Sequence, residues 1–449
     1  MIFKLKRIHL IYLCFGCICT SLSLAQNVDP SIDVTEIERV QSERDRIFSA
    51  LIDDPTNMDN LFQYANLSIL IGDLEAAVGV FEQMLIYDNE LPRIRLELGV
   101  LYYRLGAYTT AKVYLDSVKR YNPPSEVLEN VEDFLGAITE SEKPLKFSHV
   151  IGTSITRSSN GNSGLSADII NIAGYPFLVS PDTKQQPDMS RSLSYTMSVN
   201  HDLNHPRGDT ARYIVSLSDT KQDEFNRFDL QTMVFSASRQ FNLEPDENSG
   251  SLMSYVTNPT FVPAFNAFKV YLDGEGLLTS RKLSTTFSGI LNGTSSVGFE
   301  VFVDYRKFLS NPFKSGRIKG FVINNNRFID KYGMTAQVKY GYDHHNANID
   351  SENYDQHIFE LSANKMIEND WMISSNLGFR RKKHDSGTDI FPMRRDKVLS
   401  FQISASKPIS ECWISNFNYR YSKSNSTVDL FNIKNNQISM DYNHVCLGR

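Results

Sequence analysis

The sequence predicts an α + β multidomain protein, with N-terminal helical repeats followed by a transmembrane antiparallel β-barrel of about 14 strands. Three observations carry this prediction. The first residues have the layout of a secretion signal, a 34-residue periodicity runs through residues 55–123, and apolar and polar side chains alternate in segments from residue 147 to the end. Alternation is clearest over residues 297–306 and 334–343. There Val297, Phe299, Val301, Val303 and Tyr305, and then Met334, Ala336, Val338, Tyr340 and Tyr342, share one face, while Glu300, Asp304 and Arg306, and then Thr335, Gln337, Lys339, Gly341 and Asp343, lie on the other. A period of two is the signature of a strand. Repeated to the end of a secreted chain, it is the pattern of a membrane barrel with a wet lumen.

The 449 residues carry a net charge of −6, with Lys and Arg scattered along the chain, so nothing points to a nucleic-acid partner. Mean hydropathy of −0.31 excludes a bundle of membrane helices, and no segment after residue 25 has an apolar run long enough to span as a helix. Lys4, Lys6 and Arg7 precede an apolar stretch over residues 8–24, and Ser23-Leu24-Ala25 offers a small-x-small cleavage site, so residues 1–25 read as a signal peptide. The rival reading, a lipidated Cys17 or Cys19, lacks a proper lipobox. Cys412 and Cys446 are left on separate predicted strands, either disulfide-bonded or as two buried thiols.

Residues 26–143 read as a periplasmic tetratricopeptide-repeat domain. A helical pattern covers residues 34–51, with Val34, Ile37, Val40, Ile47, Phe48 and Leu51 apolar. Then Gly72 and Gly106, Ala77 and Ala111, Phe81 and Leu115, and Tyr64 and Leu98 each lie 34 residues apart. Two full repeats follow what looks like the second helix of another. Residues 125–138 supply a closing helix with Ser125 as its N-cap. Nearly all the apolar stripes are inter-helix core. Tyr64, Ser68, Arg95, Gly99 and Tyr102 are the candidates for a client-binding groove lined by the first helix of each pair.

Pro144 opens the barrel domain, residues 144–449. Fourteen segments start near Phe147, Leu193, Ala211, Phe228, Phe268, Leu283, Val297, Ile318, Met334, Phe359, Trp371, Val398, Trp413 and Gln437, each about the ten residues that cross a membrane as a tilted strand. The prolines Pro245, Pro259 and Pro263 are assigned to the fourth-to-fifth connection. With the repeats in the periplasm the first strand runs outward. Connections 204–209, 292–295, 368–370 and 407–410 are then short inner turns, and 158–191, 344–355, 383–395 and 423–436 long outer loops. Trp371, Trp413, Tyr421 and Tyr442 are candidates for interfacial girdles. Glu300, Asp304, Arg306, Lys339, Glu360, Arg380 and Arg420 are the charged candidates for the lumen wall, beside Gln337, Asp343, Asn364, Asn376, Asn416, Asn418 and Asp441. Both signs occur, which predicts a hydrated passage without a preference for one ion.

No catalytic, metal or cofactor site emerges. His344 and His345 beside Asp343 fall in a predicted outer loop without metal-ligand spacing. His149, His201 and His357 have no motif pairing them with a nucleophile, and G-x-S-x-G, P-loop and H-E-x-x-H motifs are absent from the sequence.

A signal peptide, a short tetratricopeptide domain and a C-terminal barrel together resemble the surface lipoprotein assembly modulator family of Gram-negative outer-membrane proteins. The most specific stretches are Leu91-Pro92-Arg93-Ile94-Arg95-Leu96-Glu97-Leu98 with Leu105-Gly106-Ala107-Tyr108, then Asn122-Pro123-Pro124 and Val131-Glu132-Asp133-Phe134-Leu135. Arg394-Arg395-Asp396 and Tyr421-Ser422-Lys423-Ser424-Asn425 are also similar to the family. The resemblance implies an outer-membrane translocator that helps a surface lipoprotein or a related secreted protein across the membrane. Its partners would be that client, periplasmic chaperones, the barrel-insertion machinery and outer-membrane lipid. Residues 154–162 depart from the family's first outer loop. The terminal Cys446-Leu447-Gly448-Arg449 lacks the usual aromatic, so either the last strand stops at Tyr442 before a short tail or the gene boundary is inexact. The alternatives are a polysaccharide-export porin with periplasmic repeats, and a passive porin or scaffold.

Overall fold

The structure, a computed structural model, describes residues 34–172, 175–244, 256–291, 295–388, 390–410 and 412–447. The predicted signal peptide lies outside the described residues. The chain forms two compact units divided between Lys143 and Pro144.

The first unit has six α-helices among the described residues: α1 Val34–Asp53, α2 Met58–Leu70, α3 Leu74–Tyr87, α4 Pro92–Arg104, α5 Tyr108–Val118 and α6 Ser125–Ser141. Local chemistry sets their ends. The Asn57 side chain accepts from Asn60 N–H at the start of α2, and Asp73 from Ala76 N–H at the start of α3. Gly72 and Gly106 take positive φ of 84° and 75° to stop α2 and α4. In both, the glycine N–H reaches back three residues and the next N–H five, to Ile69 and Ser68 and then to Tyr103 and Tyr102. These are paired Schellman closures. The 34-residue period is therefore a repeated stop signal as well as a repeated core.

Leu61, Ala65, Ala77, Phe81, Leu98 and Leu101 fill one core, while Ala111, Leu115, Val131 and Ile138 fill a second. Ser125 is the first residue of α6 and not its cap; Pro124 holds the cap position without a side-chain bond. A proline there starts the turn by its fixed φ, so a capping hydroxyl is not needed.

The second unit is a closed antiparallel barrel of fourteen strands. Its strands are β1 Leu145–Ser158, β4 Asp188–Asp202, β5 Thr210–Gln222, β6 Leu230–Asn242, β7 Val256–Leu272, β8 Glu275–Leu291, β9 Ser295–Phe308, β10 Gly316–Ile329, β11 Met334–Ala347, β12 Tyr354–Ile367, β13 Trp371–His384, β14 Arg395–Ser410, β15 Trp413–Ser426 and β16 Ile433–Leu447. A hairpin, β2 Ile169–Ile172 with β3 Tyr175–Leu178, sits in the first connection. β1 pairs with β4 on one side and closes on β16 along the other, from Ser148 opposite Leu447 to Ser158 opposite Gln437. The rim where β1 begins is called the near rim below, and the opposite one the far rim.

Several boundaries differ from the sequence reading. The fifth strand begins at Val256, so Pro259 and Pro263 are inside it. Pro259 falls in the register shift between Thr257 and Thr260, and Pro263 falls where pairing with β6 is interrupted between Ala264 and Phe261. A residue without an N–H is tolerated where the ladder is already broken. β7 and β8 are joined by Asp273-Gly274, whose φ values of 54° and 72° make the tight turn that suits a hairpin. Strands also run further than expected at the far rim, which shortens three predicted loops to 348–353, 385–394 and 427–432. Residues 407–410 belong to β14, and β16 continues past Tyr442 to Leu447. His344 and His345 lie in β11, not in a loop.

Burial alternates along much of the barrel wall, as in β9 and β11. Leu193 and Leu283 on the outside are each 57% exposed, whereas Ser280 and Asp304 on the inside are 2% exposed. Gly99 supplies the test of the repeat packing: a Cβ there would stand 2.7 Å from the Leu115 side chain. Gly99→Val is expected to destabilise the helical unit by about 1–3 kcal/mol through overpacking. A lowered helical melt of the full chain in detergent, with the barrel's heat-modifiability on gels unchanged, is the expected result; an unchanged helical melt contradicts the packing.

Candidate functional site

Two surfaces are candidates, the repeat domain and the barrel lumen. In the repeats the five groove candidates do not line one groove. Ser68 is fully buried and Gly99 is buried against Leu115. Both are small residues at helix crossings, which is why they sit in the core and not on a binding face. Tyr102, half-buried, donates its hydroxyl to Glu82 Oε1 at 2.7 Å and stacks on Tyr114 at 5.6 Å. Tyr114 reaches the same oxygen at 3.3 Å, so α3, α4 and α5 are tied by one carboxylate. Burial, and then the bond to Glu82, push the Tyr102 hydroxyl up to about 12. Arg95 donates to the Asn89 carbonyl at 2.9 Å and to its side chain, and lies over Tyr121.

Of the five, Tyr64 borders an open recess. An apolar cleft of about 360 Å³ is lined by Phe48, Ile52, Pro55, Tyr64, Gly79 and Val80 among others, between α1, α2 and α3. Phe48 and Ile52 remain more than half exposed. The sequence signal was Gly79, which leaves α3 bare of a side chain opposite the end of the α1 stripe. Around it the domain is acidic: residues 34–143 contain twenty Asp and Glu against ten Lys and Arg.

In the barrel, the seven charged lumen candidates occupy inward register positions on five strands. Glu300 takes an ion pair from Lys282 at 2.6 Å, Asp304 pairs with Arg306 Nε at 2.7 Å and accepts from Ser280, and Lys339 meets Glu360 at 3.1 Å. Arg420 donates twice to Gln402 Oε1, at 3.1 and 2.8 Å. Arg380 points inward with its Nε buried and unbonded. Most of this charge is thus neutralised in place.

The lumen wall is also sorted by chemistry, which the sequence reading of a lumen mixed in charge sign did not include. Charges gather on β8–β13. From β14 round through β1 to β6 the inward positions are mostly hydroxyl and amide, Arg420 and Asp441 being charged exceptions, with bridges such as Ser148 to Ser198 at 2.6 Å, Thr196 to Ser216 at 2.8 Å and Ser218 to Thr232 at 2.6 Å.

At the far rim the lumen side of β11–β14 is packed, not open. The rings of His345, Tyr354 and His384 stand in a row at 4.9 and 5.6 Å, and the Lys382 ammonium sits 3.8 Å from the Tyr354 ring centre. Arg394 bridges from Asp396 at 3.1 Å to the Phe431 ring at 4.0 Å. His384, Lys382 and Asp396 are each under a tenth exposed. The loop after β1 folds its own apolar group here, with Leu165, Ile170 and Val179 packed on Val428 and Leu430. These contacts join residues far apart in sequence, so no local motif announced them. Cys412 is an exposed free thiol in the turn after β14, which corrects its reading as buried or disulfide-bonded.

No family model matches the chain, and no curated protein matches it. Among solved structures it is similar to OprB of Pseudomonas putida at high pH, with 10% identity over 70% of this chain and 97% of that one and a TM-score of 0.38. It is also similar to a loop-deletion mutant of OmpT, an outer membrane protein of Vibrio cholerae, with 8% identity, 67% and 99% coverage and a TM-score of 0.37. A third is a bacterial polysaccharide outer membrane secretin, at 9% identity, 67% and 98% coverage and a TM-score of 0.33. Likenesses this distant leave the functional argument to the chain's own residues.

Two outcomes follow from the geometry. Because the Tyr102 pKa is raised, the stability it contributes is full below the unfolded value of about 10 and is lost as pH rises through about 12. The helical melt of the full chain is expected to fall over that window and Tyr102→Phe to flatten the fall; an equal fall in the variant contradicts the Tyr102–Glu82 tie. In planar bilayers, Glu300→Gln with Glu360→Gln leaves Lys282 and Lys339 without their carboxylates, and the reversal potential is expected to move toward anion preference. No movement means that these pairs do not face the conducting path.

Proposed function

We propose that this chain is an outer-membrane translocator. Its repeats stand in the periplasm, and its barrel gives a surface lipoprotein or related secreted protein a route to the cell exterior. The observation that carries this reading is the joining of two devices in one chain: a closed barrel, apolar outside and polar inside, and a helical unit with an open apolar cleft in an acidic surface. A barrel alone serves diffusion, whereas a cleft of this kind supplies a place to hold a client on the same chain as the passage. The client's docking segment would be basic, with a bulky apolar side chain for the space between Phe48, Ile52 and Gly79. Holding it there raises its local concentration around the barrel to which the helical unit is joined. The packed far rim over β11–β14 leaves the hydroxyl-lined side as the path, or requires the far-rim loops to move aside.

Polysaccharide export is the second reading, and the hydroxyl and amide wall from β14 to β6 favours it, since such groups exchange hydrogen bonds with sugars without holding them by charge. Comparing surface and secreted proteins of a parent strain with those of a strain lacking this chain separates the two. Loss of one or a few lipoproteins or small secreted proteins, restored by the full chain but not by a chain with Phe48→Asp and Ile52→Asp, is the expected result. Unchanged proteins with altered extracellular polysaccharide would overturn it in favour of the second reading. Sidedness has its own check. In a chain with Cys412→Ser and Cys446→Ser, an impermeant thiol reagent applied to intact cells is expected to label Ser351→Cys in the 348–353 loop. Labelling of Cys412 in the unaltered chain instead would reverse the orientation.

A further inference from the structure

The outward faces of β13–β16 carry a group of cations that the export reading does not use. On β13 the last outward positions at the far rim are Arg381 and Lys383, and on β14 the first are Arg395 and Lys397. Each is exposed, while the residues between them, Lys382 and Asp396, are buried on the lumen side. Register places Arg381 directly opposite Lys397 and Lys383 directly opposite Arg395. On the next pair of strands Lys423 lies directly opposite Lys434.

Like charges facing each other across a ladder, with Cβ atoms about 5 Å apart, oppose folding. A carboxylate between them would relieve this, yet none of the six is in an ion pair among the described residues. The carboxylate opposite Lys383 is Asp355, and it is held by the Tyr342 hydroxyl at 2.7 Å and His344 Nδ1 at 3.0 Å. The group therefore has the charge and spacing to receive an anion from outside the chain.

What stands next along each strand fixes where that anion must be. Toward the middle of the barrel, Arg381 is followed on the same face by Phe379 and Leu377, and Lys397 by Leu399 and Phe401, all exposed. The cations thus sit at the edge of the apolar belt, the level of lipid headgroups and not of bulk solution. At the near rim the same four strands present Trp371, Trp413 and Tyr442, with Lys407 lying over Trp371 as their cation. The two rims meet chemically different surroundings.

We propose that the far-rim outer wall of β13–β16 docks phosphorylated lipid headgroups, with guanidinium forks and ammonium groups sharing the phosphate oxygens. In the orientation proposed above, on which the identity of the lipid rests, this is the phosphorylated glycolipid of the outer leaflet. Occupancy would fix the depth and rotation of the barrel on the side where the charges face one another.

The test is native mass spectrometry of the full chain folded in a neutral detergent, titrated with diphosphorylated lipid A, dephosphorylated lipid A or inorganic phosphate. The parent chain is expected to retain the diphosphorylated lipid about tenfold better than the dephosphorylated one. Arg381→Gln, Lys383→Gln, Arg395→Gln and Lys397→Gln together should remove that preference, and Lys407→Gln at the near rim should not. Heat-modifiability on gels verifies folding; if the fourfold variant fails it, Lys423→Gln with Lys434→Gln is expected to give a partial loss. Equal retention of both lipids, or an unchanged preference in the variants, overturns the proposal. Inorganic phosphate competing as well as the lipid also overturns it, by reducing the group to a simple anion site. Detergent solution has no sidedness, so an error in orientation appears only in the thiol-labelling result and leaves this one standing.

Discussion

Closure of β1 on β16 is the constraint on which the rest of the barrel depends. A strand edge in hydrocarbon leaves N–H and C=O groups without water, each at a cost of several kcal/mol, and only a closed ladder removes every edge. The seam runs from Ser148 to Ser158, and small inward residues line it: the Gly152 Cβ position is already taken by Asn443 and Ser194 side-chain atoms. Once the ring is closed, side-chain alternation has a fixed meaning, lipid on one parity and lumen on the other. Every charged pair of the lumen, and every cation of the far-rim outer wall, inherits its position from that parity.

The central strands were legible in the sequence because their two faces differ most there, as in Val297–Arg306 and Met334–Asp343. Strand ends at the far rim were not legible, and the reason is chemical. Outward positions such as Arg381, Lys383, Arg395 and Lys397 are as polar as their inward neighbours, so alternation fades while the ladder continues. The same substitution of charge for apolar side chains made three loops look longer than they are. Pro259 and Pro263 misled for a different reason: a proline argues against a strand unless the partner's ladder is broken at that residue, and pairing registers cannot be seen in one chain.

In the helical unit the 34-residue period gave the repeats, since Gly72 and Gly106 stop equivalent helices by the same hydrogen bonds. The groove was poorly legible. Repeat geometry puts Ser68, Gly99 and Tyr102 on one helix face, but small residues on that face let helices approach and so become core, while Tyr102 is consumed by Glu82 and Tyr114. The recess lies instead where Gly79 faces Phe48 and Ile52. In the lumen, alternation places charged residues inward, but the gathering of most of them onto β8–β13, and the packed His345, Tyr354 and His384 row, arise from neighbours in the ring and not in the sequence.

The proposed function has a client pass along the hydroxyl and amide wall of the lumen. Site-specific photocrosslinking in living cells tests this most directly, with the reactive residue placed at inward Ser216 or at its outward neighbour Leu217. Adducts between a secreted or surface protein and position 216, absent at 217, are the predicted result. Export that proceeds with no adduct at 216, or with equal adducts at 217, would contradict passage through the barrel.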